Sequence, residues 1–335
     1  MKSTLKDVSI VIVTYKGDEL TKNCLDSLEA TCGSDPQIVV VDNSPSEATR
    51  LLVASYPNTV YVSSPGNPGF AGGNNRAMPE CDRPYVLLLN NDTIVRTRES
   101  IERLVGFLDE HPRCGVAQGT ATLKDGKSLA GCGSYLMPFG YMWAPGFGKE
   151  DDVCNATAVR FSAIGFFMIF RRSILRNVGG SLFRTHFWCY YEETDFCHRV
   201  WLAGYEVWYV KTPPIIHLCG GTVGHFKHVD IMERYQKNIL FSLNSNLSLL
   251  SRLFILPCFT TLLAIHGLVH LLRGHADVFV ADMRSLASPI RNRPKILAAR
   301  RQISRIRKVS DFKIFNAVMR LPPFPQLVRF FLSNA

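Results

Sequence analysis

Hydrophobic residues in the first third of the chain form short, continuous, β-branched runs, the first of which reads Val-Ser-Ile-Val-Ile-Val-Thr. Such runs are typical of strands buried on both faces of a parallel sheet. They predict strands at residues 8–14, 37–41, 60–63 and 85–90. Helical spacing between them predicts helices at residues 18–30 and 47–55. The alternation predicts a doubly wound, mostly parallel α/β sheet with helices on both faces and a ligand at the carboxyl ends of the strands.

The later pattern is less regular but continues the alternation. Helical spacing and apolar runs predict helices at 101–110, 172–178 and 193–203 and strands at 116–123 and 205–210. Residues 131–148 are rich in Gly, Pro and aromatic residues. That composition predicts a loop over the ligand site rather than part of the sheet.

A glycine-rich segment precedes the fourth strand. Residues 67–77 read Asn-Pro-Gly-Phe-Ala-Gly-Gly-Asn-Asn-Arg-Ala, and the next strand ends in Asn90-Asn91-Asp92. Glycines let backbone N–H groups approach a ligand, and a helix N-terminus favours anions. We therefore predict a diphosphate over a sheet edge beside a metal-binding Asp. The spacing matches neither a Walker A loop nor G-x-G-x-x-G, and an ordinary glycine turn before a buried strand is the alternative.

Charge divides the chain into two parts. The 335 residues carry a net charge of +10. Residues 273–335 hold 13 Lys/Arg against 3 Asp/Glu, whereas the first 272 residues hold 25 of each. The basic character therefore belongs to the C-terminal part.

Cysteine usage and the N-terminus bear on the compartment. Ten cysteines occur singly, with no C-x-x-C pair and no Cys/His cluster at zinc spacing. The polar N-terminus runs into the first strand without a secretory signal pattern. We expect a cytoplasmic protein with free thiols and without a disulfide framework.

Seven motifs in order, from residue 8 to about residue 221, resemble those of family 2 nucleotide-sugar glycosyltransferases with the GT-A fold, specifically the rhamnosyltransferase-like branch. They are VSIVIVTY, IVVVDNS, NPGFAGGNN, LLLNNDT, FFMIFRRS followed by VGG, YYEETDFC and IIHLCGG. The resemblance implies a GT-A domain at residues 1–245. Its nucleotide-sugar-binding half would be residues 1–125, and its acceptor and catalytic half residues 126–245.

The resemblance assigns the nucleotide sugar to residues at strand ends and in the glycine-rich segment. They are Thr14, Tyr15, Asp42, Asn67, Gly69, Asn74, Asn91 and Asp92. An Asp can accept hydrogen bonds from a base or ribose, and a Tyr offers a stacking face. Capping of the next helix is the alternative role for Asp42. Lys16 stands where family members usually carry Asn.

Asn90-Asn91-Asp92 occupies the position of the family's D-x-D metal motif, in which Asp92 alone keeps a carboxylate. His217 matches a histidine that reaches the metal or the diphosphate in relatives. The resemblance therefore implies a divalent cation, Mg²⁺ or Mn²⁺, held by Asp92 and His217, which neutralises charge on the departing nucleotide. A lone histidine after an apolar strand is otherwise more often structural.

Residues 190–195 match the family's ED-type motif at a helix start, and the match assigns the catalytic base to Glu193. Relatives more often carry Asp there, so Glu192 is the reserve candidate. Acidic residues in a first helical turn also stabilise the helix dipole, which is the role expected for Asp195 with Arg199 as its i,i+4 partner. Residues 179–182 depart from the family's usual Gly-Gly-Phe-Asp, so we expect a reshaped acceptor-side loop.

Residues 246–335 are predicted to form a helical, basic, membrane-interface region. Residues 253–272 carry no formal charge, and their length qualifies them as a transmembrane candidate. Pro257, Gly267 and scattered Thr and His favour a helix in the bilayer interface, interrupted or not at Pro257. A polybasic stretch suited to anionic headgroups follows, namely Arg291, Arg293, Lys295, Arg300, Arg301, Arg305, Arg307 and Lys308. Residues 324–332 are a candidate second anchor. A solvated helix is the alternative, and nucleic acid is disfavoured because no aromatic residues interleave the basic run.

The expected function is inverting, metal-dependent sugar transfer at the cytoplasmic membrane face. The resemblance suggests dTDP-L-rhamnose as donor, with UDP-sugars second, and a lipid-linked or cell-surface glycan precursor as acceptor. A binding protein without catalysis and a nucleotidyltransferase are the rivals. The first has no need of a base, and the second is expected to carry a basic glycine-rich loop after the first strand, which residues 14–18 resemble poorly.

Overall fold

A mixed sheet of eight strands is the centre of the computed structural model, which describes residues 3–148, 154–219 and 227–327. The strands are β1 (Val8–Thr14), β2 (Gln37–Asp42), β3 (Thr59–Ser63), β4 (Tyr85–Asn90), β5 (Thr93–Ile94), β6 (Cys114–Gln118), β7 (Ala121–Thr122), β8 (Tyr135–Leu136), β9 (Met142–Trp143), β10 (Ala158–Val159), β11 (Phe167–Arg171), β12 (Glu206–Tyr209) and β13 (Ile215–His217). The helices are α1 (Asp18–Cys32), α2 (Glu47–Ala54), α3 (Gly69–Ala77), α4 (Glu99–Glu110), α5 (Ile174–Asn177), α6 (Glu192–Leu202), α7 (His228–Asn246), α8 (Leu249–Leu272), α9 (Ala276–Arg291), α10 (Arg293–Ile306) and α11 (Asp311–Val318).

The large sheet has the order β10-β12-β6-β11-β4-β1-β2-β3. β11 is antiparallel to both of its neighbours and β10 is antiparallel to β12, whereas the remaining pairs are parallel. The predicted mostly parallel sheet is therefore confirmed. The register pairs Thr14 with Asp42 and Val13 with Asn90. The carboxyl ends of β1, β2 and β4 consequently meet at one edge.

A small sheet of order β5-β13-β7 lies beside that edge. β13 is antiparallel to β5, and His217 pairs with Thr93. This pairing places His217 opposite Thr93, the residue that directly follows Asp92. Two residues far apart in sequence are thereby fixed next to each other by backbone hydrogen bonds.

Helices cover both faces of the large sheet, as predicted, because alternate side chains of a strand point to opposite sides. One cluster joins Ile10 of β1 to Leu25 of α1 and to residues of α4. The cluster on the other face joins Val11 of β1 to Phe196 of α6.

The C-terminal helices complete this second face. Ile303 of α10 and Ile314 of α11 are buried in the same cluster as Val11 and Phe196. A third cluster joins Tyr191, just before α6, to residues of α7 and α8. The boundary predicted at residue 245 therefore does not separate two independent cores in the described part of the chain.

Two residues of the predicted polybasic surface have structural partners instead. Arg300 donates to the carbonyl oxygens of Asn244 and Leu247, at 2.8 and 3.1 Å. Arg307 donates to the carbonyl of Asn246 and pairs with Asp311. The last carbonyls of a helix have no partner within it, and these arginines supply one at the end of α7. Both side chains therefore have a role in the fold that the sequence did not predict.

α8 runs without interruption through Pro257 for 24 residues. Its inner face is buried at Ile255, Phe259 and Leu263, whereas its outer face exposes large apolar side chains. The exposed residues are Leu249, Leu250, Leu253, Phe254, Ile265, Leu268, Leu271 and Leu272. By length and composition alone α8 could cross a membrane. Of the predicted second anchor, residues 328–332 lie outside the described residues, as do the last two residues of the IIHLCGG motif.

Two expectations for residues 131–154 are corrected. The predicted loop contains an antiparallel hairpin of β8 and β9. Cys132 and Cys154 form a disulfide, so the expectation that all thiols are free is wrong. Both cysteines are buried beside Tyr209 of β12. Their 22-residue separation follows no recognised spacing, because the contact depends on how the hairpin folds back on β12.

Asp195 forms a buried charge network at the start of α6. Its side chain is fully buried, and its Oδ2 accepts from Nε of Arg184 and of Arg199 at 2.9 and 3.0 Å. Oδ1 accepts from Ser242 and Asn246 of α7 at 3.0 and 2.9 Å. The two guanidinium groups and these donors hold the pKa of Asp195 far below its ordinary value, against the opposing effect of burial. The predicted Arg199 partner is confirmed, but the pair is buried and joins three segments.

Replacing Asp195 by Asn should lower the free energy of unfolding by about 3 to 5 kcal/mol, because two guanidinium groups lose their counter-charge inside the protein. Chemical denaturation measures the difference. The difference in the free energy of unfolding should shrink as the pH falls below about 4. There the carboxyl group of the unfolded state takes up a proton, which stabilises the unfolded state relative to the native state with its ionised Asp195.

The control is Glu47→Gln, which removes an exposed pair with Arg50. Its effect should be far smaller than that of Asp195→Asn, because solvent screens an exposed ion pair. Equal effects of Asp195→Asn and Glu47→Gln would contradict a stabilising role for the buried network.

Candidate active site

A cavity of about 390 Å³ opens at the carboxyl ends of β1 and β4, the edge at which a doubly wound sheet binds its ligand. Eight of the ten residues predicted for the site line this cavity. They are Thr14, Tyr15, Asn67, Gly69, Asn91, Asp92, Glu193 and His217.

Asp42 and Asn74 do not line the cavity. Asp42 is fully buried, and its oxygens accept from the N–H of Ser44 at 2.9 Å and from the hydroxyl of Tyr61 at 3.1 Å. Asn74 donates to the carbonyl of Phe70 within α3 at 2.9 Å. Asp42 therefore caps the turn after β2, whereas the N-cap of α2, the alternative role predicted for Asp42, is Ser46. Contacts of either side chain with a nucleotide sugar have no support in this arrangement.

Two glycines of residues 67–77 have a packing role that the sequence did not predict. A Cβ at Gly69 would lie 2.2 Å from the carbonyl oxygen of Trp188, and one at Gly73 would lie 2.7 Å from Val13 of β1. The N–H of Ala71 donates to that same Trp188 carbonyl at 3.0 Å. The glycines thus let α3 approach β1 and residue 188, and this N–H of the first turn is not directed at a ligand.

Asp92 and His217 form a pair in the cavity. Oδ1 of Asp92 lies 3.2 Å from Nε2 of His217, and both side chains are largely buried. The backbone carbonyl of Asp92 accepts from the N–H of Leu218 at 2.8 Å. The imidazole packs against Phe166, with ring centroids 4.6 Å apart. The small sheet and Phe166 therefore fix both side chains in place.

The donor set of this pair fits a divalent cation. A carboxylate oxygen and an imidazole nitrogen close enough to share one ion leave most of a coordination sphere to diphosphate oxygens and water, as Mg²⁺ and Mn²⁺ sites commonly do. Among the residues that the structure describes, no group of three or more His, Cys, Asp or Glu side chains could hold a metal. A cation here would therefore depend on ligands from a bound substrate.

Glu192 and Glu193 begin α6 and face the same cavity. Burial raises the pKa of Glu193 to about 7, and burial followed by repulsion from Glu193 raises the pKa of Glu192 well above its ordinary value. One oxygen of each side chain, Oε2, is buried without a hydrogen-bond partner. Two carboxyl groups near the protein surface would be ionised, whereas burial here favours the neutral acid and leaves Glu193 poised to exchange a proton near neutral pH.

The loop before α6 is strained and held from outside. Trp188, Tyr190 and Tyr191 have φ values of 59°, 70° and 71°, in a region that side chains other than glycine seldom adopt. Nδ2 of Asn238 in α7 donates to the carbonyls of Tyr190 at 2.6 Å, of Phe187 at 3.1 Å and of a third loop residue. Through these bonds, α7 helps to fix the orientation of the start of α6, where Glu192 and Glu193 lie.

The structure adds cavity residues that the sequence did not single out as site residues. They include Asn43, Phe70, Ile164, Gly165, Phe166, Trp188 and Tyr190. Two local signals existed. Asn43 directly follows the second strand, and Trp188 and Tyr190 directly precede the acidic helix start. Phe166 and Gly165 lie within a long apolar segment with nothing to distinguish them from core residues.

The arrangement combines two capabilities. A cation held by Asp92 and His217 would bind and polarise a diphosphate, and a buried carboxylate nearby can accept a proton from a hydroxyl. A site that only binds a nucleotide has no use for the second capability.

Comparison with known proteins agrees with this chemistry. Residues 9–179, slightly more than half of the chain, match the model of Glycosyl transferase family 2. The matched segment includes Asp92 but ends before Glu193 and His217.

Named relatives are distant. The hexosyltransferase Agl10 of low-salt glycan biosynthesis, from Haloferax volcanii, is 29% identical over 211 residues, which cover 59% of this chain and 62% of Agl10. Rhamnosyltransferase WbbL of Escherichia coli K12 is 27% identical over 260 residues, with coverage of 73% and 93%. The O-antigen chain rhamnosyltransferase WbaN of Salmonella anatum is 21% identical, with coverage of 62% and 65%. The chain thus spans less than two thirds of the length of Agl10 and WbaN.

Solved structures show the fold. The mannosyltransferase PcManGT of Pyrobaculum calidifontis, in complex with GDP-Man and Mn²⁺, aligns with a TM-score of 0.52 at 13% identity, covering 98% of this chain and 85% of that one. Residues 1–349 of S. aureus TarS, in complex with UDP-GlcNAc, align with a TM-score of 0.55 at 15% identity, with coverage of 94% and 93%. The expected GT-A fold is confirmed. Because the family model matches more than half of the chain, the chain belongs to glycosyl transferase family 2.

Proposed function

We propose that the protein transfers a sugar from a nucleotide-sugar donor to a hydroxyl group with inversion at the anomeric carbon, with a divalent metal, Mg²⁺ or Mn²⁺, as cofactor. One observation carries this proposal: the Asp92–His217 pair and the buried Glu192 and Glu193 line a single cavity at the edge of the sheet. The cavity can therefore bind a donor diphosphate and also deprotonate an acceptor hydroxyl.

Each group has a distinct role in this proposal. Thr14 and Tyr15 lie at the nucleoside end, at the carboxyl terminus of β1. Asp92 and His217 would hold the cation, which neutralises charge on the departing nucleoside diphosphate. Glu193 takes the proton of the acceptor hydroxyl as that oxygen attacks the anomeric carbon. Burial suits Glu193 to this role because a carboxylate with a raised pKa is a stronger base.

The donor sugar is proposed to be L-rhamnose, carried by dTDP. Two relatives bear the name rhamnosyltransferase, and the cavity wall contains apolar groups from Phe70, Ile164 and Phe166, which suit a sugar with a methyl group in place of a hydroxymethyl. A UDP-sugar is the second candidate, since the aligned TarS structure holds UDP-GlcNAc. A binding protein without catalysis is the third, and the unpartnered carboxylate oxygens in the cavity argue against it.

The acceptor is proposed to be a lipid-linked or cell-surface glycan precursor, approached from the cytoplasmic face of the membrane. α8 supports this proposal through its one-sided surface. Its inner face packs against α7 and against Tyr141, so the helix cannot cross a bilayer without leaving its neighbours. Lying flat, it would place Leu250, Phe254 and Leu268 in the lipid interface.

A panel of dTDP- and UDP-sugars with and without Mn²⁺ tests the donor assignment. At about 100 times its Kd a donor stabilises the native state by about 2.7 kcal/mol, which a thermal-shift assay detects. We expect the largest shift with dTDP-L-rhamnose and Mn²⁺. Asp92→Asn should remove the response to metal while keeping the melting temperature of the free protein within a few degrees, and a response that survives in this variant would place the metal elsewhere.

Glu193→Gln should reduce turnover by roughly 10² to 10⁴ with little change in donor binding. In the wild type, kcat/KM should rise with pH through about 7 and then level off, as Glu193 loses its proton. Glu192→Gln is the matched control and should reduce turnover less. The opposite ranking of the two variants would move the base to Glu192.

Glu193→Gln also has an outcome that does not depend on activity. The native pKa of Glu193 is raised above the ordinary value of about 4.3, so the stabilisation contributed by the neutral acid is present below that pH and is lost as the pH rises through about 7. The variant should therefore be more stable than the wild type at pH 8 and similar to it at pH 4. Identical stability profiles would contradict burial of this carboxyl group.

The wild type should sediment with vesicles that contain anionic lipid and should be largely released by high salt. Replacing exposed Leu250 and Phe254 by Gln should weaken this binding by at least tenfold without lowering the melting temperature, since each buried apolar side chain contributes about 1.5 kcal/mol or more. Binding that resists both salt and alkaline carbonate would favour a membrane span, and binding unaffected by the double substitution would exclude this face of α8.

A further inference from the structure

Trp188 is a fixed part of the cavity rim and carries a cation on its ring. Its Nε1 donates to the carbonyl of Asn67 at 2.9 Å, and its own carbonyl accepts from the N–H of Ala71 at 3.0 Å. The guanidinium of Arg234 in α7 lies over the indole, 4.5 Å from the ring centroid. The hydrogen bonds and the stacking contact together give Arg234 a defined place beside the cavity.

Arg234 is half-buried. In the part of the chain that the structure describes, no ion pair to a carboxylate involves it, whereas the neighbouring Glu233 pairs with Lys237 and lies 3.9 Å from Arg284. A guanidinium that has lost part of its hydration gains from an anion, and its planar fork suits a phosphate. Arg234, stacked on Trp188 and without a carboxylate partner among the described residues, is therefore a candidate anion-binding group.

The positive charge of Arg234 acts on a residue of the cavity rim. Burial raises the pKa of Tyr190 to about 12, and the positive charge of Arg234 opposes that rise. Tyr190 lines the cavity. Arg234 therefore acts electrostatically on the rim, although the charged groups that line the described cavity itself are the carboxylates of Asp92, Glu192 and Glu193.

α7 connects this rim to the buried inner face of α8. Tyr235, the residue after Arg234, packs edge-on against Tyr191, with ring centroids 5.6 Å apart. Tyr235 also belongs to the cluster that contains Phe259 of α8. α7 therefore carries both the cation stacked on Trp188 and a side chain that packs against α8.

We infer that Arg234, mounted on Trp188, binds the phosphate of an acceptor whose sugar enters the cavity and whose lipid chain follows α7 toward the outer face of α8. This inference rests on the proposed function, which supplies the acceptor hydroxyl. The donor diphosphate has its own cation site at Asp92 and His217, so the phosphate at Arg234 is a second one. Arg234 is in this sense a specificity residue for acceptors of the lipid-diphosphate class.

Calorimetric titration with farnesyl diphosphate tests the inference, with the full chain saturated with dTDP and Mn²⁺ so that the donor site is filled. Inorganic pyrophosphate and farnesol are titrated in parallel. Arg234→Gln should weaken farnesyl diphosphate binding by roughly tenfold to a hundredfold, the range for hydrogen bonds to charged groups. It should leave dTDP and farnesol binding within about a factor of two. Lys237→Gln, which removes another positive charge from α7, should behave like the wild type.

Each other outcome has a defined meaning. Unchanged farnesyl diphosphate binding in Arg234→Gln, or no binding by the wild type, overturns the inference. An equal loss of dTDP affinity would assign Arg234 to the donor site and overturn the inference. Pyrophosphate that binds as tightly as farnesyl diphosphate would show that the lipid chain is not recognised, which overturns the lipid part of the inference. Failure of the wild type to bind dTDP contradicts the proposed donor, and farnesyl diphosphate titrated alone then decides the role of Arg234.

Discussion

The geometry of the cavity depends on the burial of one negative charge, that of Asp195. A fully buried carboxylate is tolerated because two guanidinium groups and two neutral donors surround it. These partners come from the loop before α6, from α6 itself and from α7. Two residues earlier on the same helix, Oε2 of Glu193 is buried without a hydrogen-bond partner. The first turn of α6 therefore holds one acid ionised and lets another exchange a proton near neutral pH.

The helices that follow the matched family segment help to build the site. Asn238 binds the strained loop, Ser242 and Asn246 bind Asp195, and Arg307 binds the carbonyl end of α7. These contacts explain why the sugar-transfer chemistry proposed here needs more than the α/β sheet. The sheet supplies Thr14 and Asp92, whereas α7 controls where the acidic helix begins.

Sequence patterns predicted the elements whose signals are local. The buried strands β1, β2 and β4 follow from continuous apolar runs, and the motifs predicted site roles for Asp92, Glu193 and His217, which all line the cavity. The roles of Asp42 and of the glycines were not predictable in this way, because they depend on neighbours from distant segments. The same holds for the disulfide of Cys132 and Cys154 and for the packing of α10, because neither produces a recognisable pattern in the neighbouring sequence.

The position of α10 and α11 in the core has a consequence for synthesis of the chain. Ile303 and Ile314 cover the same face of the sheet as Val11, some 300 residues earlier in the sequence. A ribosome therefore releases the central strands long before it delivers the side chains that seal them. During that interval the apolar face of the sheet is open to other proteins, and long-range closure of this kind slows folding. Closure of this face of the sheet therefore depends on helices that are synthesised last.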